Sequence, residues 1–176
     1  MRITNLLRRK AQHSLSIDEM NLLSIEAGKT LEYNNTQWTL KKIIEYQWGE
    51  LLFSYDYLID NGTEIQYLGI EKNIDKLILS MKKDIPIDSI DLKLKEYILK
   101  NEVPPRTFNN NGIIYYFDRE SVGKCKLENT TDWTKLTVWE YIDKTNKNVL
   151  TIEQYGDNDF FSSVGTIIQM KDILFV

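Results

Sequence analysis

The chain has 176 residues, enough for one domain or for two small halves that share a core. Its 42% hydrophobic content supports a buried core, and its single cysteine excludes an internal disulfide and a metal site of several thiolates. A net charge of −4 excludes a general nucleic-acid binder, because phosphate contacts require clustered Lys and Arg.

Residues 1–24 are predicted to form a basic arm followed by a short helix. The basic side chains of the arm, which are candidates for contact with an anionic surface, are Arg2, Arg8, Arg9 and Lys10. Ser16 and Glu19 have the spacing of a capping box, which predicts that a helix starts there. Because the arm lacks the apolar core of a secretory signal and no apolar stretch is long enough to span a membrane, we expect a cytoplasmic protein.

Residues 25–84 are predicted to form a first antiparallel β-meander. A stretch rich in Trp, Thr, Ile and Tyr alternates imperfectly, which predicts a bulge near Lys42. Asn61 and Gly62 predict a tight hairpin turn, because both residue types tolerate positive φ angles. Residues 76–82 are expected to add a strand, and their run of aliphatic side chains also fits a helix.

Residues 85–106 are predicted to form a helix and a proline hinge that connect the two halves. Apolar side chains recur at three- and four-residue spacing over residues 87–98, and Asp88 is placed to cap the start of the helix. Pro104 and Pro105 end the helix, because proline cannot continue it.

Residues 107–176 are predicted to form a second meander that repeats the first. Each repeat contains a polar turn, an aromatic-acidic-aromatic triplet and an apolar-x-Ile-Glu ending. The triplets are Tyr55-Asp56-Tyr57 and Trp139-Glu140-Tyr141, and the endings are Leu68-Gly69-Ile70-Glu71 and Leu150-Thr151-Ile152-Glu153. This order makes Tyr57 and Tyr141 equivalent, as well as Glu71 and Glu153. The predicted fold is mainly β (α+β): two related antiparallel β-meanders packed as a sandwich or as fused barrels, with one connecting helix, in one structural domain over residues 25–176.

No catalytic or metal-binding motif is recognisable. His13 is the only histidine and has no partner carboxylate before Asp18, so a nucleophilic triad cannot be assembled. Cys125 lies between two lysines, which would favour a reactive thiol, but a small core residue in a strand is the preferred interpretation. Asp157 and Asp159 have the spacing of calcium ligands without the rest of the calcium-loop pattern. The sequence therefore predicts no enzyme, no cofactor and no metal site.

Aromatic and acidic side chains offer one candidate binding groove between the halves. Its predicted members are Trp38, Tyr57, Trp139, Tyr141, Glu140 and Glu153. Two carboxylate pairs are expected to face each other across hairpins, namely Glu140 with Glu153 and Asp56 with Glu71. Such pairs serve glycoside hydrolysis or simply belong to solvated strand faces, and we favour the second interpretation. Aromatic residues in strands also pack cores, so groove and core are alternatives at this point.

Several of these residues together resemble a known family. The resemblance rests on Gly28-Lys29-Thr30-Leu31, Trp38, Tyr55-Asp56-Tyr57-Leu58, Trp139-Glu140-Tyr141, Leu150-Thr151-Ile152-Glu153 and Gly165. Over roughly residues 25–176, this pattern resembles the bacterial domain of unknown function 4178. The resemblance implies a β-rich fold without established catalytic residues. Genes of that family often lie near those of PspA-like proteins and polyamine aminopropyltransferase-like enzymes, which implies an accessory role in envelope stress.

The sequence thus favours a non-enzymatic cytoplasmic binding or adaptor protein. Its expected partner is another protein, with weak contact between the arm and an anionic membrane and no binding to nucleic acid. The alternative is a small-molecule or peptide binder that uses an aromatic groove between the two halves. A third hypothesis is an enzyme of unrecognised type. A concave pocket with convergent carboxylates and raised pKa values would favour the enzyme, and a flat apolar surface patch would favour the adaptor.

Overall fold

A computed structural model describes residues 16–50, 52–72 and 77–176, so the four basic residues of the arm and His13 lie outside the described residues. The elements in chain order are α1 (Ile17–Leu23), β1 (Thr30–Tyr33), β2 (Thr36–Trp48), β3 (Leu52–Asp60), β4 (Ile65–Lys72), β5 (Leu77–Asp84), a 3-10 turn (Ile87–Ser89), α2 (Leu94–Asn101), β6 (Thr107–Asn110), β7 (Ile113–Leu127), β8 (Thr134–Asp143), β9 (Asn148–Tyr155), β10 (Asp159–Ile168), a second 3-10 turn (Met170–Asp172) and β11 (Ile173–Phe175). Neither described helix has the length and apolar character needed to cross a membrane.

Eight of the strands close into an antiparallel ring. Around the ring the order is β2, β3, β4, β5, β10, β9, β8 and β7, and β7 pairs again with β2. The ring consists of two four-stranded sheets that face each other, β2 to β5 from the first half of the chain and β7 to β10 from the second. Beyond β2 the sheet continues into β1 and β11, and beyond β7 into β6. The predicted mainly-β fold is confirmed.

The two halves repeat the same local features. Each begins with a short strand that turns sharply into a long one, β1 into β2 and β6 into β7. The turn residues at positive φ are Asn34, Asn35, Asn111 and Gly112. Each long strand then carries a bulge, at Lys41 in β2 and at Asp118 in β7. The bulge predicted near Lys42 is thus confirmed, and its counterpart in β7 supports an internal duplication.

The bulges also shift the alignment of the two repeats by two residues. Tyr57 lies in β3 and Tyr141 in β8, which are equivalent strands. Leu40, which precedes the bulge of β2, pairs with Ile59, whereas Phe117, which precedes the bulge of β7, pairs with Tyr141. When the bulges are superposed, the counterpart of Tyr141 is therefore Ile59 and not Tyr57. By the same registers, the counterpart of Glu153 is Gly69 and not Glu71.

Each sheet buries a hydrophobic core on the face turned away from the other sheet. The first core contains Leu22, Leu31, Trp38, Leu40, Ile43, Tyr57, Ile59, Leu68, Ile70, Leu79, Met81, Ile168 and Ile173. The second core contains Ile87, Leu94, Ile98, Phe108, Tyr115, Trp139, Tyr141, Leu150 and Ile152. Helix α1 packs on the first core through Leu22, so the first half begins before residue 25, and α2 packs on the second core.

The connecting helix is shorter than predicted. Residues Ile87–Ser89 form a single 3-10 turn, α2 begins only at Leu94, and the side chain of Asp88 caps neither element. The apolar spacing of three residues fits a 3-10 turn as well as an α-helix. Between the two elements, the Lys93 backbone N–H donates to Asp91 Oδ1 at 2.8 Å, which stabilises a local turn instead of a continuous helix.

The hairpin between β3 and β4 differs in detail from the predicted turn. Gly62 has the expected positive φ of 89°, but Asn61 does not have a positive φ. The loop spans residues 61–64, and Asn61 Oδ1 accepts hydrogen bonds from the backbone N–H groups of Thr63 and Glu64. The loop is therefore an Asx turn and not a two-residue primed turn. Residues 77–84 form strand β5, so the strand alternative for this segment is the observed one.

Candidate functional site

The facing sides of the two sheets enclose polar and charged side chains beside a small apolar cluster of Tyr46, Cys125, Leu136 and Val138, and we call all of these side chains the central layer. Successive side chains of a strand point to opposite faces. In β3, Tyr57 and Ile59 enter the first core, so the side chains of Ser54 and Asp56 point towards the opposite sheet. A central cavity of about 290 Å³ opens in this layer. Residues of both halves line it, among them Ser54, Asp56, Gly69, Glu71, Lys82, Arg119, Glu140, Thr151 and Glu153.

Arg119 binds carboxylates of both sheets at one side of the central cavity. Its Nη1 donates to Glu71 Oε1 at 2.7 Å, and its Nη2 donates to Oε2 of the same carboxylate. Its Nε donates to Glu140 Oε2. The bonds to Glu71 are the largest cause that raises the pKa of Arg119, so the guanidinium stays charged. The three side chains, which we call the arginine cluster, are each 30–42% exposed, so this side of the cavity is open to solvent.

Lys82 and Asp56 form a deeper ion pair. Lys82 Nζ lies 3.0 Å from both carboxylate oxygens of Asp56, and the Tyr46 hydroxyl donates to Asp56 Oδ2 at 3.2 Å. Burial alone lowers the pKa of Lys82, but the negative charges of Asp56 and Glu153 outweigh burial and raise it. Gly69 provides the room for this pair, because a Cβ atom there would lie 3.0 Å from Asp56 Oδ1 and 3.1 Å from Lys82 Cε.

Glu153 lies beside this ion pair, and the positive charge of Lys82 compensates its negative charge only in part. Its Oε2 accepts a hydrogen bond from the Tyr155 hydroxyl at 2.6 Å, and no described residue donates to its Oε1. Burial raises the pKa of Glu153 to about 6, and the positive charge of Lys82 opposes this shift only in part. Asp56 and Asp84 add to the shift through charge repulsion. We call Lys82, Asp56 and Glu153 the lysine cluster.

A second cavity of about 370 Å³, the tyrosine cavity, shares the lysine cluster with the central cavity. Its lining comprises Ile44, Tyr46, Asp56, Tyr67, Lys82, Asp84, Glu153, Tyr155, Phe161, Ser162 and Ser163. Three of its tyrosines each donate a hydroxyl hydrogen bond to a carboxylate. These pairs are Tyr46 with Asp56, Tyr67 with Asp84 and Tyr155 with Glu153. The rings of Tyr155 and Phe161 meet edge to face, with centroids 5.4 Å apart.

The four aromatic residues predicted to line a groove lie in the two hydrophobic cores instead. Trp38 and Tyr57 belong to the first core, where they are 3% and 2% exposed. Trp139 and Tyr141 belong to the second core and are buried to the same degree. Because both sheets and the central layer separate the two cores, these side chains do not form a common groove. The core alternative describes them correctly.

In each predicted carboxylate pair, the two acids share a face but interact with different cations. Glu140 pairs in register with Thr151, and Glu153 lies two residues further along β9, so the two glutamates are diagonal neighbours. Glu140 accepts a hydrogen bond from Arg119, whereas Glu153 interacts with the positive charge of Lys82. The pair in β3 and β4 is diagonal in the same way. Both pairs face the opposite sheet, and Glu71 and Glu140 are also partly exposed to solvent.

Sequence reasoning missed Lys82, Arg119, Tyr67 and Tyr155. A strand that packs one face on a core normally exposes its other face to water. Charged residues at alternate positions of a strand are therefore usually interpreted as solvent-exposed. Here both faces of the two sheets are covered. The duplication was the one feature of the sequence that could have indicated this arrangement. Two similar meanders that pack against each other cover one face of each sheet.

The described residues also test the metal and thiol interpretations. No group of three His, Cys, Asp or Glu side chains among them is arranged to hold a metal ion. Asp157 and Asp159 lie at the exposed turn between β9 and β10. Cys125 is buried beside Tyr46 and Leu136, and burial raises the pKa of its thiol. The expected role of Cys125 as a small core residue is confirmed.

The comparisons with curated proteins and with solved structures find no match. One family model, described as "Domain of unknown function (DUF4178)", matches residues 26–170. The match covers both repeats, all eight strands of the ring and the central layer. The chain therefore belongs to the DUF4178 family.

Proposed function

We propose that the protein is a non-enzymatic binding protein and that its ligand site lies between the two sheets. The observation that carries this proposal is the charged central layer with its two cavities. A layer that served stability alone would be apolar, because desolvating ions costs more than apolar packing in most buried positions. Charged groups kept around open volume support recognition of a ligand instead.

The bonding of Glu71, Glu140 and Asp56 supports binding over catalysis at these three carboxylates. Glu71 and Glu140 accept hydrogen bonds from Arg119, and Asp56 accepts from Lys82. Carboxylates held by fixed cations are oriented for recognition, whereas general acids and bases need a free proton-transfer path to the substrate. We further propose an accessory role for the protein in the bacterial cytoplasm, in the response to envelope stress, which is the role that the family resemblance in the sequence implies.

The test is a fragment screen by NMR. We expect small polar fragments to shift the backbone signals of Gly69, Ser121 and Thr151, which line the central cavity, or of Ser163 in the tyrosine cavity. Spectra of each bound fragment before and after long incubation provide the control for catalysis. A fragment converted to product would overturn the non-enzymatic proposal, and fragments that bind only outside the two cavities would overturn the site.

An adaptor role is the second candidate function, and one observation favours it. Helix α2 and its flanking segments expose apolar side chains, namely Leu92, Tyr97, Leu99 and Val103, which are 44–84% exposed. A photo-crosslinking residue at position 92 should then capture one protein in cells, whereas the same residue at the exposed position Glu128 should not. Equal capture at both positions would count against a docking surface on α2.

A further inference from the structure

We infer that the tyrosine cavity binds a small organic cation whose ammonium group is held by Glu153 and whose carbon skeleton packs on Tyr155 and Phe161. This inference rests on the proposed function, because it names the ligand class for one of the two cavities. It follows from three independent properties of the cavity: its charge, its free hydrogen-bond acceptor and its aromatic walls.

The charge of the cavity favours a cation. Three carboxylates line it, those of Asp56, Asp84 and Glu153, and Lys82 is the one lysine or arginine in the lining. Lys82 is already engaged by both oxygens of Asp56. The cavity therefore lacks positive charge, and a cationic ligand gains from the negative potential that an anionic ligand would oppose. Burial is the first cause of the raised pKa values of Asp84 and Glu153, and charge repulsion from Asp56 adds to both.

The free acceptor favours an ammonium group with N–H donors. Asp56 is bonded to Lys82 and Tyr46, and Asp84 accepts from Tyr67 at 3.0 Å. Glu153 has only the Tyr155 hydroxyl as its partner among the described residues, and its other oxygen has no donor there. Asp84 likewise has a single tyrosine partner, but it is exposed to solvent, so Glu153 is the less hydrated of the two acceptors. A primary ammonium carries three N–H donors and no acceptor, so it matches this carboxylate.

The aromatic walls favour an organic cation over an inorganic one. Tyr67, Tyr155 and Phe161 surround the acids, and the faces of such rings attract cations. Phe161 is 57% exposed, although a phenylalanine in a strand is normally covered. Its position at the cavity edge provides an apolar surface for the carbon skeleton of a ligand. Inorganic cations are less suited, because the described carboxylates do not form a metal-binding group of three.

The size of the cavity limits the ligand to a compact molecule. A volume of about 370 Å³ lies at the low end for pockets that take small molecules. Benzylammonium is a suitable probe, because it combines a primary ammonium with one ring. Benzyl alcohol and benzoate are close to benzylammonium in size and shape. Benzyl alcohol is uncharged, and benzoate carries a negative charge.

The experiment titrates the full chain with each of the three probes and follows backbone NMR signals. We expect benzylammonium to shift Ser162 and Ser163 in the tyrosine cavity and to bind more tightly than benzyl alcohol, while benzoate does not bind. Glu153→Gln should weaken benzylammonium binding about tenfold or more, because a hydrogen-bonded charge partner is lost. Glu128→Gln makes the same chemical change at an exposed turn and should leave the affinity unchanged.

A second variant keeps the test decisive if Glu153→Gln alters the fold. Phe161→Leu removes a ring at an exposed position and should weaken benzylammonium severalfold while leaving the spectrum otherwise native. Equal binding of all three probes, or benzylammonium shifts confined to the arginine cluster, would overturn the cation site and leave the proposed function standing. If neither benzylammonium nor any fragment of the screen binds in either cavity, both proposals fall.

Discussion

Arg119 of β7 binds Glu71 of β4 through two hydrogen bonds, although the two strands are not neighbours in the ring. The planar guanidinium matches the two carboxylate oxygens, a geometry that a lysine cannot reproduce. The two sheets are thus joined through their facing sides as well as through the strand pairs at their edges.

Replacing Arg119 should weaken this connection measurably. We expect Arg119→Gln to lower the free energy of unfolding by about 1 kcal/mol at low salt, a small value because the side chain is 42% exposed and its ion pairs are screened. Urea unfolding at low and high salt measures the effect, which should shrink as salt increases. Lys41→Gln is the control, because the one ion pair of Lys41 among the described residues is with Asp60, at 3.6 Å within one hairpin. A loss equal to that of the control would contradict a role in joining the sheets.

Glu153 should lower stability at neutral pH, in exchange for its role in binding. Burial raises its pKa from 4.5 to about 6, so the folded state binds a proton more tightly than the unfolded state does. The stability contribution of Glu153 is therefore greatest at low pH, falls as the pH rises from about 4.5 to about 6, and stays low above that. The groups that set this pKa are Lys82, Asp56, Tyr155 and Asp84.

Glu153→Gln should consequently raise the free energy of unfolding by about 2 kcal/mol near neutral pH, because one pKa unit corresponds to about 1.4 kcal/mol. The gain should vanish below the pKa of the unfolded side chain. Urea unfolding of both proteins across this pH range provides the measurement. A variant that is less stable than the native protein at neutral pH would show that the ionised carboxylate is stabilising and that the sign of this prediction is wrong.

Gly62 should be required for its backbone conformation and not for contacts. Its φ is 89°, and a Cβ atom there would meet no heavy atom within 4 Å. Gly62→Val should lower the free energy of unfolding by about 1 kcal/mol or more, since β-branched residues are strained at positive φ. Glu64→Val, in the same loop without a positive φ, is the matched control for a valine at this exposed site. Equal melting temperatures of the two variants would be evidence against the strain.

The basic arm is expected to attach weakly to anionic membranes. Each Lys or Arg near such a surface contributes on the order of 1 kcal/mol, and attachment without a lipid anchor is reversible. Helix α1 follows the arm and exposes Ile17 and Met20, which adds apolar contact. Sedimentation with anionic vesicles should pellet the full chain at low salt and release it at high salt. A chain that begins at Ser16 is the control, and the prediction fails if both chains stay in solution at low salt.

Local chemistry made much of the fold predictable. Ser16 and Glu19 form both hydrogen bonds of the predicted capping box, at 2.8 and 3.2 Å. The asparagine-rich turns and the bulge of β2 lie where backbone preferences place them, because each depends on residues close in sequence. The position of α2 was less predictable, since three-residue spacing fits two kinds of helix.

The candidate site depends on pairings between distant residues, which local chemistry does not specify. The ring closes where residues 44–47 of β2 pair with residues 124–127 of β7. Because of this closure, the charged side chains at alternate strand positions point into the ring. In an open sheet they would face water. Lys82 and Glu153 come from different halves of the chain, so their interaction becomes visible only after the two sheets are placed together.

The return of β11 to β1 has a consequence for how the protein is made. Strand β11 pairs with β1 over residues 173–175, and Ile173 enters the first core. On the ribosome, strands β1 to β5 emerge well before β11, since the whole second half is translated in between. The first core therefore lacks Ile173 throughout that interval and the edge of β1 stays unpaired, which favours aggregation of the nascent chain.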